Sequence, residues 1–210
     1  MRTFGLIGFL LVHSFSQRYF LEKFKRENIS DAEFKNFPLE NINDFPGLLE
    51  SNPTLCGLSV TIPHKQSVIK FLNEMDTVAR ETGAVNCIKI SQTSDVRRLT
   101  LKGFNTDVFG FEESLKPFLK THHTKALILG TGGGAKAVAF VFKKHKIEFS
   151  FVTRTSNLKP QTSNYTYQEL NKQIISSNTI IVNTTPLGMF PNADSYPQIP
   201  YEHLIEKHLL

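Results

Sequence analysis

The chain has 210 residues, of which 40% are hydrophobic and 20% are charged. That length suits one large domain or two small ones, and that balance excludes collagen-like and disordered proteins. No apolar stretch approaches the ~18–20 residues that cross a bilayer, so we expect no membrane segment. The 24 lysines and arginines exceed the 19 acidic residues, but the basic runs fall on predicted helix faces. A small anionic ligand therefore fits this charge better than nucleic acid does.

Two further features predict where the protein works. Cys56 and Cys87 are too few for a disulfide framework and lack the spacing of a zinc site, so we expect no metal. Reduced thiols in a cytoplasmic protein are the simplest interpretation. The apolar run at residues 4–12 superficially resembles a secretory signal, but it is short and has no small-x-small cleavage site. We interpret it as a buried strand and its loop.

The first half of the chain alternates short apolar runs with helical patterns. Ser16 is the predicted N-cap of the first helix, in which Tyr19, Phe20 and Phe24 share one face. The last two strands of this half, joined by a polar loop at residues 91–98, predict an antiparallel pair. The predicted strands span residues 4–8, 34–38, 57–62, 84–90 and 99–102, and the predicted helices span residues 16–27, 42–49 and 63–72.

The second half is more regular, with short apolar runs typical of parallel strands buried on both faces. A predicted helix at residues 106–119 bridges the two halves. The alternation of strand and helix predicts an α/β fold with a doubly wound sheet and two domains, residues 1–104 and 105–210. The strands of this half span residues 125–129, 148–153 and 179–184, with helices at residues 134–146 and, more weakly, near residues 167–172.

The sharpest local motif is a glycine-rich turn between a predicted strand and a predicted helix, formed by Gly130, Thr131, Gly132, Gly133, Gly134 and Ala135. In such a G-x-G-x-x-[G/A] turn, the first glycine permits the tight bend and the second lets the backbone approach a pyrophosphate. The third small residue lets helix and strand pack closely, and the amides at the helix start face the anion. A mere tight turn is the alternative, which the flanking strand and helix disfavour.

The end of the next strand indicates which dinucleotide would bind. An NAD site places Asp or Glu there, about 20 residues beyond the turn, to bind the ribose 2′-hydroxyl. This chain has Thr153, Arg154 and Thr155 instead. A fixed cation beside two hydroxyls suits a 2′-phosphate, so the predicted cofactor is NADP(H). An ordinary exposed arginine is the alternative.

Four clusters in the first half place polar groups beside predicted turns. Ser14 and Ser16 lie near a helix start, which is a good carboxylate receptor, although helix capping explains Ser16 equally well. Thr61 and Lys65 put a hydroxyl and a cation at a strand-to-helix turn, where an isolated lysine is usually a surface residue. Two more segments add an amide and a carboxylate, for which turns or caps are the alternative: residues 83–86 and 103–107.

Taken together, these motifs resemble the shikimate dehydrogenase family. The match runs in register along the chain: HSFS at 13–16, VTIPHK at 60–65, GAVN at 83–86, GFNTD at 103–107, the glycine turn, TRT at 153–155 and NTTPLGM at 183–189. The resemblance implies an N-terminal substrate-binding catalytic domain and a C-terminal Rossmann-like NADP-binding domain. It also implies reversible, NADP-dependent reduction of 3-dehydroshikimate to shikimate, a step toward chorismate and the aromatic amino acids, by a monomer or homodimer.

The resemblance assigns roles to the matching residues of the substrate site. Lys65 and Asp107 match the catalytic pair of the family. Hydride transfer to a ketone builds negative charge on oxygen, and a lysine can supply both the proton and the balancing charge. Ser14 and Ser16 would hold the shikimate carboxylate. Four side chains would bind the ring hydroxyls: Thr61, Lys65, Asn86 and Asp107.

The resemblance assigns the cofactor site in the same way. The turn from Gly130 to Ala135 would hold the pyrophosphate, and the segment from Thr153 to Thr155 would hold the adenosine phosphate. Thr185 would lie in a loop lining the cofactor cleft.

The chain departs from the family pattern at several positions. Ser59 stands where the family usually has Asn, Gln17 where it has Pro, and Thr153 where it often has Asn. The family also continues past the equivalent of Leu210, so we expect either a truncated sequence or a partly lost site. Three other hypotheses stay open: a non-catalytic NADP-binding sensor, a dehydrogenase that also takes quinate, and a folate-linked dehydrogenase.

Overall fold

The computed structural model describes residues 1–9, 11, 14–92, 99–155, 164–190 and 192–210. These residues divide into two units, Met1–Thr106 and Asp107–Leu210. Three predicted features lie wholly or partly outside the described residues: His13, the apolar run at residues 4–12 in part, and most of the loop at residues 91–98.

The first unit is built on a mixed sheet. Its strands are β1 (Arg2–Gly8), β2 (Ala32–Pro38), β3 (Leu55–Val60), β4 (Glu74–Met75), β5 (Cys87–Gln92) and β6 (Leu99–Phe104). Its helices are α1 (Phe15–Arg26), α2 (Phe45–Ser51) and α3 (Thr77–Thr82), with 3-10 helices at Ile42–Asp44 and Ser67–Phe71. The strand order is β2-β1-β3-β5-β6-β4. The first three strands of that order run parallel, and β5 runs antiparallel to both β3 and β6, which confirms the predicted antiparallel pair.

The core of this unit explains why these segments form strands. Ile7 of β1 and Ile88 of β5 are completely buried, and both belong to the cluster that includes Phe45 of α2 and Val68. A smaller aromatic cluster attaches α1, because the ring of Phe20 stacks on the ring of Phe34 with centroids 4.7 Å apart.

The predicted α-helix at residues 63–72 is wrong. Residues 63–66 form turns, and the only helical segment there is the 3-10 helix Ser67–Phe71. The Lys65 carbonyl, which an α-helix would pair with the amide of Ile69, accepts a 2.7 Å hydrogen bond from the Val85 amide. The preceding strand ends at Val60, two residues earlier than predicted, and a cis peptide bond follows between Ile62 and Pro63.

Two other boundaries of this unit also differ from the prediction. The N-cap of α1 is Ser14, so the predicted N-cap at Ser16 is wrong. The strand predicted from residue 84 starts at Cys87, because the unpredicted helix α3 comes before it and ends at Gly83, whose φ of 59° lies in the left-handed region. Asp76 starts α3 by accepting a hydrogen bond from the Ala79 amide at 2.7 Å.

The second unit has a parallel sheet, as the short apolar runs predicted. Its strands are β7 (Lys125–Leu129), β8 (Glu148–Thr153), β9 (Asn164–Thr166) and β10 (Ile180–Asn183), in the order β10-β7-β8-β9. Its helices are α4 (Asp107–Leu115), α5 (Gly133–Lys144) and α6 (Lys172–Ser177), with 3-10 helices at Lys116–Phe118, Tyr167–Glu169 and Tyr201–His203. All three strand pairings are parallel. The α/β class is therefore confirmed.

Sequence patterns misjudged the helix ends in this unit. The helix predicted to reach residue 119 becomes 3-10 after Leu115, where Pro117 cannot supply an amide hydrogen. The helix predicted near residues 167–172 is wrong, since α6 begins only after Asn171, whose side-chain oxygen accepts from the Ile174 amide at 3.0 Å. The short strand β9 was not predicted.

A buried carboxylate ties α4 to α5. Glu112 accepts hydrogen bonds from Lys144 and from the His145 ring, both at 2.8 Å. Together with the charge of Lys116, these contacts lower the pKa of Glu112 to about 2.

None of the helices in the described part of the chain combines the length and the apolar character that a bilayer crossing requires.

Candidate active site

The sheet of the first unit brings several predicted substrate residues to one edge. Parallel strands β1 and β3 end there, and antiparallel β5 begins there. Thr61 follows β3 directly, and its amide donates to the Ile7 carbonyl at 2.9 Å. Asn86 comes just before β5, and its carbonyl accepts from the Val60 amide at 2.8 Å. Sheet topology thus places Thr61 and Asn86 beside each other.

Lys65 is anchored to the same edge through its backbone. The hydrogen bond from the Val85 amide to the Lys65 carbonyl joins the lysine to the residue that precedes Asn86. The neighbouring His64 ring is buried, and its Nε2 lies 2.6 Å from the Leu39 carbonyl oxygen. These contacts hold the backbone at His64 and Lys65 in place. The predicted grouping of Thr61, Lys65 and Asn86 therefore rests on hydrogen-bonded backbone positions.

Asn86 is oriented by Thr106. Its side-chain oxygen accepts from the Thr106 amide at 2.8 Å, and its side-chain nitrogen donates to the Thr106 hydroxyl at 2.9 Å. Asn105 stabilises the backbone before Asn86, because its buried side-chain amide donates to the Ala84 carbonyl at 3.0 Å. Asn105 was not among the predicted site residues, although it lies within the GFNTD motif.

Asp107 is the next residue along the chain and the first residue of α4. It belongs to the second unit, whereas Lys65 belongs to the first. The predicted catalytic pairing of these two side chains therefore stays a prediction.

The serine turn, which we define as Ser14, Phe15 and Ser16, lies at the start of α1. Ser14 is the N-cap of α1, but its side chain makes no capping hydrogen bond. Its hydroxyl oxygen is buried and has no partner among the described residues. Ser16 lies half-buried in the first turn of α1, which carries no acidic residue. A buried hydroxyl without a partner beside helix-start amides is what a carboxylate ligand would satisfy.

A cavity of about 670 Å³ in the first unit does not coincide with these residues. It is lined by Glu40, Asn41, Ile42, Asp44, Pro63, His64 and Ser67. Two carboxylates on its wall, those of Glu40 and Asp44, would repel an anionic ligand.

In the second unit, the glycine turn opens at the switch point of the parallel sheet. β7 lies between β8, which follows it in the chain, and β10, which comes last, so the connections diverge at the end of β7, where ligands bind in open α/β sheets. Gly130 has a φ of 105°, and a Cβ there would lie 3.0 Å from the Thr184 hydroxyl. Gly132 is the N-cap of α5 and has open space where a Cβ would be. Ala135 is completely buried, as close helix-to-sheet packing requires.

The loop after β10 contacts this turn. A Cβ on Gly130 would lie 3.2 Å from the Thr185 methyl group, so the predicted residue Thr185 borders the turn. Asn183 organises the loop, since its side-chain oxygen accepts from the Thr185 hydroxyl at 2.6 Å and the Thr185 amide at 3.0 Å. Thr184 donates to the Leu129 carbonyl at 2.6 Å. Asn183 and Thr184 were not predicted, although Asn before two threonines and a proline is a turn signal.

At the end of β8, Thr153, Arg154 and Thr155 replace a carboxylate, as the sequence shows. The Thr153 hydroxyl donates to the Thr155 carbonyl at 2.6 Å, across a bend at Arg154 and Thr155. Arg154 is exposed. Burial raises the pKa of Tyr167, and the positive charge of Arg154 opposes that shift. Tyr167 was not predicted as part of this region.

Known proteins resemble the chain over both units. Residues 6–88 match the family described as the shikimate dehydrogenase substrate binding domain. The shikimate dehydrogenase (NADP(+)) of Methanosphaera stadtmanae is 32% identical, over 97% of this chain and 75% of that protein. Shikimate dehydrogenase 1 from Peptoclostridium difficile has a TM-score of 0.81 and 33% identity, over 94% of this chain and 72% of that one. Shikimate 5-dehydrogenase from Thermus thermophilus, solved with NADP(H) and shikimate, has a TM-score of 0.76 and 26% identity, over 99% and 77%.

Proposed function

The chain belongs to the shikimate dehydrogenase family, and from that premise we propose that it catalyses the reversible, NADP-dependent reduction of 3-dehydroshikimate to shikimate. The observation that carries the proposal is the grouping of Thr61, Lys65 and Asn86 at one edge of the first sheet. Hydrogen bonds between backbone atoms hold that grouping, so it does not depend on flexible side chains.

The residues of the second unit fit NADP(H). The open space at Gly132 leaves room for a pyrophosphate against the start of α5, and the first turn of that helix carries no acidic residue to repel it. Arg154, between two threonines, would hold the 2′-phosphate. Bound NADP(H) supplies or accepts the hydride.

The residues of the first unit would hold the substrate by its polar groups. Ser14 and Ser16 would bind the carboxylate, and Thr61 and Asn86 would bind ring hydroxyls. Such fixed donors orient the ring, so that one carbon faces the hydride.

Lys65 would act as the proton donor during ketone reduction. The ketone oxygen gains negative charge as hydride arrives, so a nearby ammonium both stabilises that charge and supplies the proton. In the reverse direction the neutral amine takes the proton from the hydroxyl. We propose Asp107 as the partner of Lys65, sharing the same substrate hydroxyl and orienting the ammonium.

The direct test is to add shikimate and NADP+ to the purified protein and to follow the absorbance of reduced nicotinamide. We expect reduction that needs both compounds and is much slower with NAD+. Asp107→Asn should lower kcat with little change in the KM for NADP+, because it removes the charge and keeps the shape. Binding of NADP+ without turnover in the full-length protein would favour a sensor instead.

We also propose a cytoplasmic location and a monomeric or homodimeric state. Both cysteines are free thiols, which suits a reducing compartment. Light scattering on the purified protein measures the number of subunits directly.

A further inference from the structure

A bridge of amide side chains joins the start of α1 to β2. Gln17 donates from Nε2 to the Phe34 carbonyl at 3.4 Å, and its Oε1 accepts from Asn36 Nδ2 at 3.2 Å. The same Asn36 nitrogen also donates to the Leu11 carbonyl at 3.4 Å. Gln17 follows Ser16 directly, so the bridge ends at the serine turn.

The bridge meets Ser14 at a single oxygen atom. The Leu11 carbonyl accepts from both Asn36 Nδ2 and the Ser14 amide, the latter at 3.1 Å. Asn36 therefore helps to set the backbone position from which the Ser14 side chain projects. The Ser14 hydroxyl oxygen and Asn36 Oδ1 are both buried without a hydrogen-bond partner among the described residues. Buried polar atoms rarely lack a hydrogen-bond partner, and where the protein supplies none, a ligand or an ordered water is the usual partner.

Attachment of the helix does not require this bridge. The Phe20 ring already stacks on Phe34 at 4.7 Å, and the Phe24 ring lies 6.1 Å from that of Phe4. These aromatic contacts hold α1 against β1 and β2. The amide bridge adds an orientation at the first turn that the aromatic contacts, further along the helix, do not supply.

We infer that Asn36 and Gln17 are positioning residues for the substrate carboxylate. They hold the turn so that the Ser14 hydroxyl faces no acceptor within the described part of the protein and stays available to the ligand. This inference rests on the proposed function, because it needs Ser14 to bind a carboxylate.

The test uses Asn36→Ala and Gln17→Met, which remove the bridge in two independent ways. Each variant should raise the KM for shikimate about fivefold to tenfold, since a charge-assisted hydrogen bond is weakened, while kcat and the KM for NADP+ stay within about twofold. As the matched control, Asn73→Ala removes a hydrogen bond from the Leu101 amide elsewhere in the same unit and should leave both KM values unchanged.

The methyl ester of shikimate distinguishes positioning from general loosening. If the bridge acts through the carboxylate, Asn36→Ala should not weaken the ester further, because the ester has no charge for Ser14 to bind. The inference is overturned if Asn36→Ala raises the KM equally for shikimate and for its methyl ester. It is also overturned if the KM for shikimate is unchanged in both bridge variants. Ser14→Ala tells the two proposals apart: if it raises the KM while Asn36→Ala does not, only the positioning role fails, and if neither does, the carboxylate site itself is wrong.

Discussion

Two glycines of the glycine-rich turn at residues 130–135 allow the effect of a side chain on stability to be tested separately from its effect on cofactor binding. Gly132 has φ of −72° and ψ of −171°, which any residue adopts, and a Cβ there meets nothing within 4 Å. Gly130 has a φ of 105°, and a Cβ there would lie 3.0 Å from the Thr184 hydroxyl. We therefore predict that Gly132→Ala folds normally and binds NADP(H) poorly, whereas Gly130→Ala loses stability.

The expected change in stability for Gly132→Ala is small. Alanine is a poorer N-cap than glycine by about 0.5–1 kcal/mol, but it lowers the entropy of the unfolded chain by a similar amount, about 0.4–1 kcal/mol. These effects nearly cancel, so the melting temperature should move by no more than about 2 °C.

The expected change in binding is large. A methyl group at Gly132 would occupy the space that a pyrophosphate needs to reach the amides at the start of α5. Loss of hydrogen bonds to a charged group costs about 1.5–3 kcal/mol, which corresponds to roughly 10- to 100-fold in affinity.

The assay is the dissociation constant for NADP+ by calorimetry, together with KM values for both substrates. The KM for shikimate should not change. Gly47→Ala in α2 is the matched control, because a Cβ there also meets nothing within 4 Å and this helix belongs to the other unit. Unchanged NADP+ affinity in Gly132→Ala would show that the turn does not hold the pyrophosphate, and a large loss of stability would contradict the steric reasoning.

Three further predictions concern charged residues. Lys65→Ala should lower kcat by about 10²- to 10⁴-fold and change the KM for shikimate much less, and equal losses in the two constants would argue against proton transfer. Arg154→Ala should weaken NADP+ about tenfold or more without weakening NAD+, which competition between the two nucleotides would measure. Glu112→Gln should lower the free energy of unfolding by about 1–2 kcal/mol at neutral pH, less than the full pKa shift implies, because Lys144 is half exposed and screened. Since the pKa of Glu112 is lowered to about 2, the stability that its charge contributes is complete above pH 4.5 and is lost as the pH falls toward 2. The difference in unfolding free energy between variant and native protein, measured by urea unfolding, should therefore shrink over that range. A difference that stays constant would refute the role of the charge.

Local patterns were sufficient to predict the strand, the glycine turn and the helix that open the parallel sheet of the second unit. The apolar run at Lys125–Leu129, the glycine turn and the helix Gly133–Lys144 follow one another within about twenty residues, and each is specified by its own residues. A buried parallel strand needs a continuous apolar run, and a helix that packs on it needs a small residue such as Ala135 at the contact. The absence of a carboxylate after β8 can likewise be read directly from the sequence.

The substrate half depended on contacts between residues far apart in the chain. An apolar pattern at residues 63–72 predicted a helix, but the Lys65 carbonyl bonds to Val85, twenty residues away, and the segment forms turns. In the same way Asn36 reaches the Leu11 carbonyl across 25 residues, and no local pattern marks it as part of the serine turn. Helical periodicity reports on hydrogen bonds three or four residues apart, whereas these bonds exist only after the sheet has brought distant segments together.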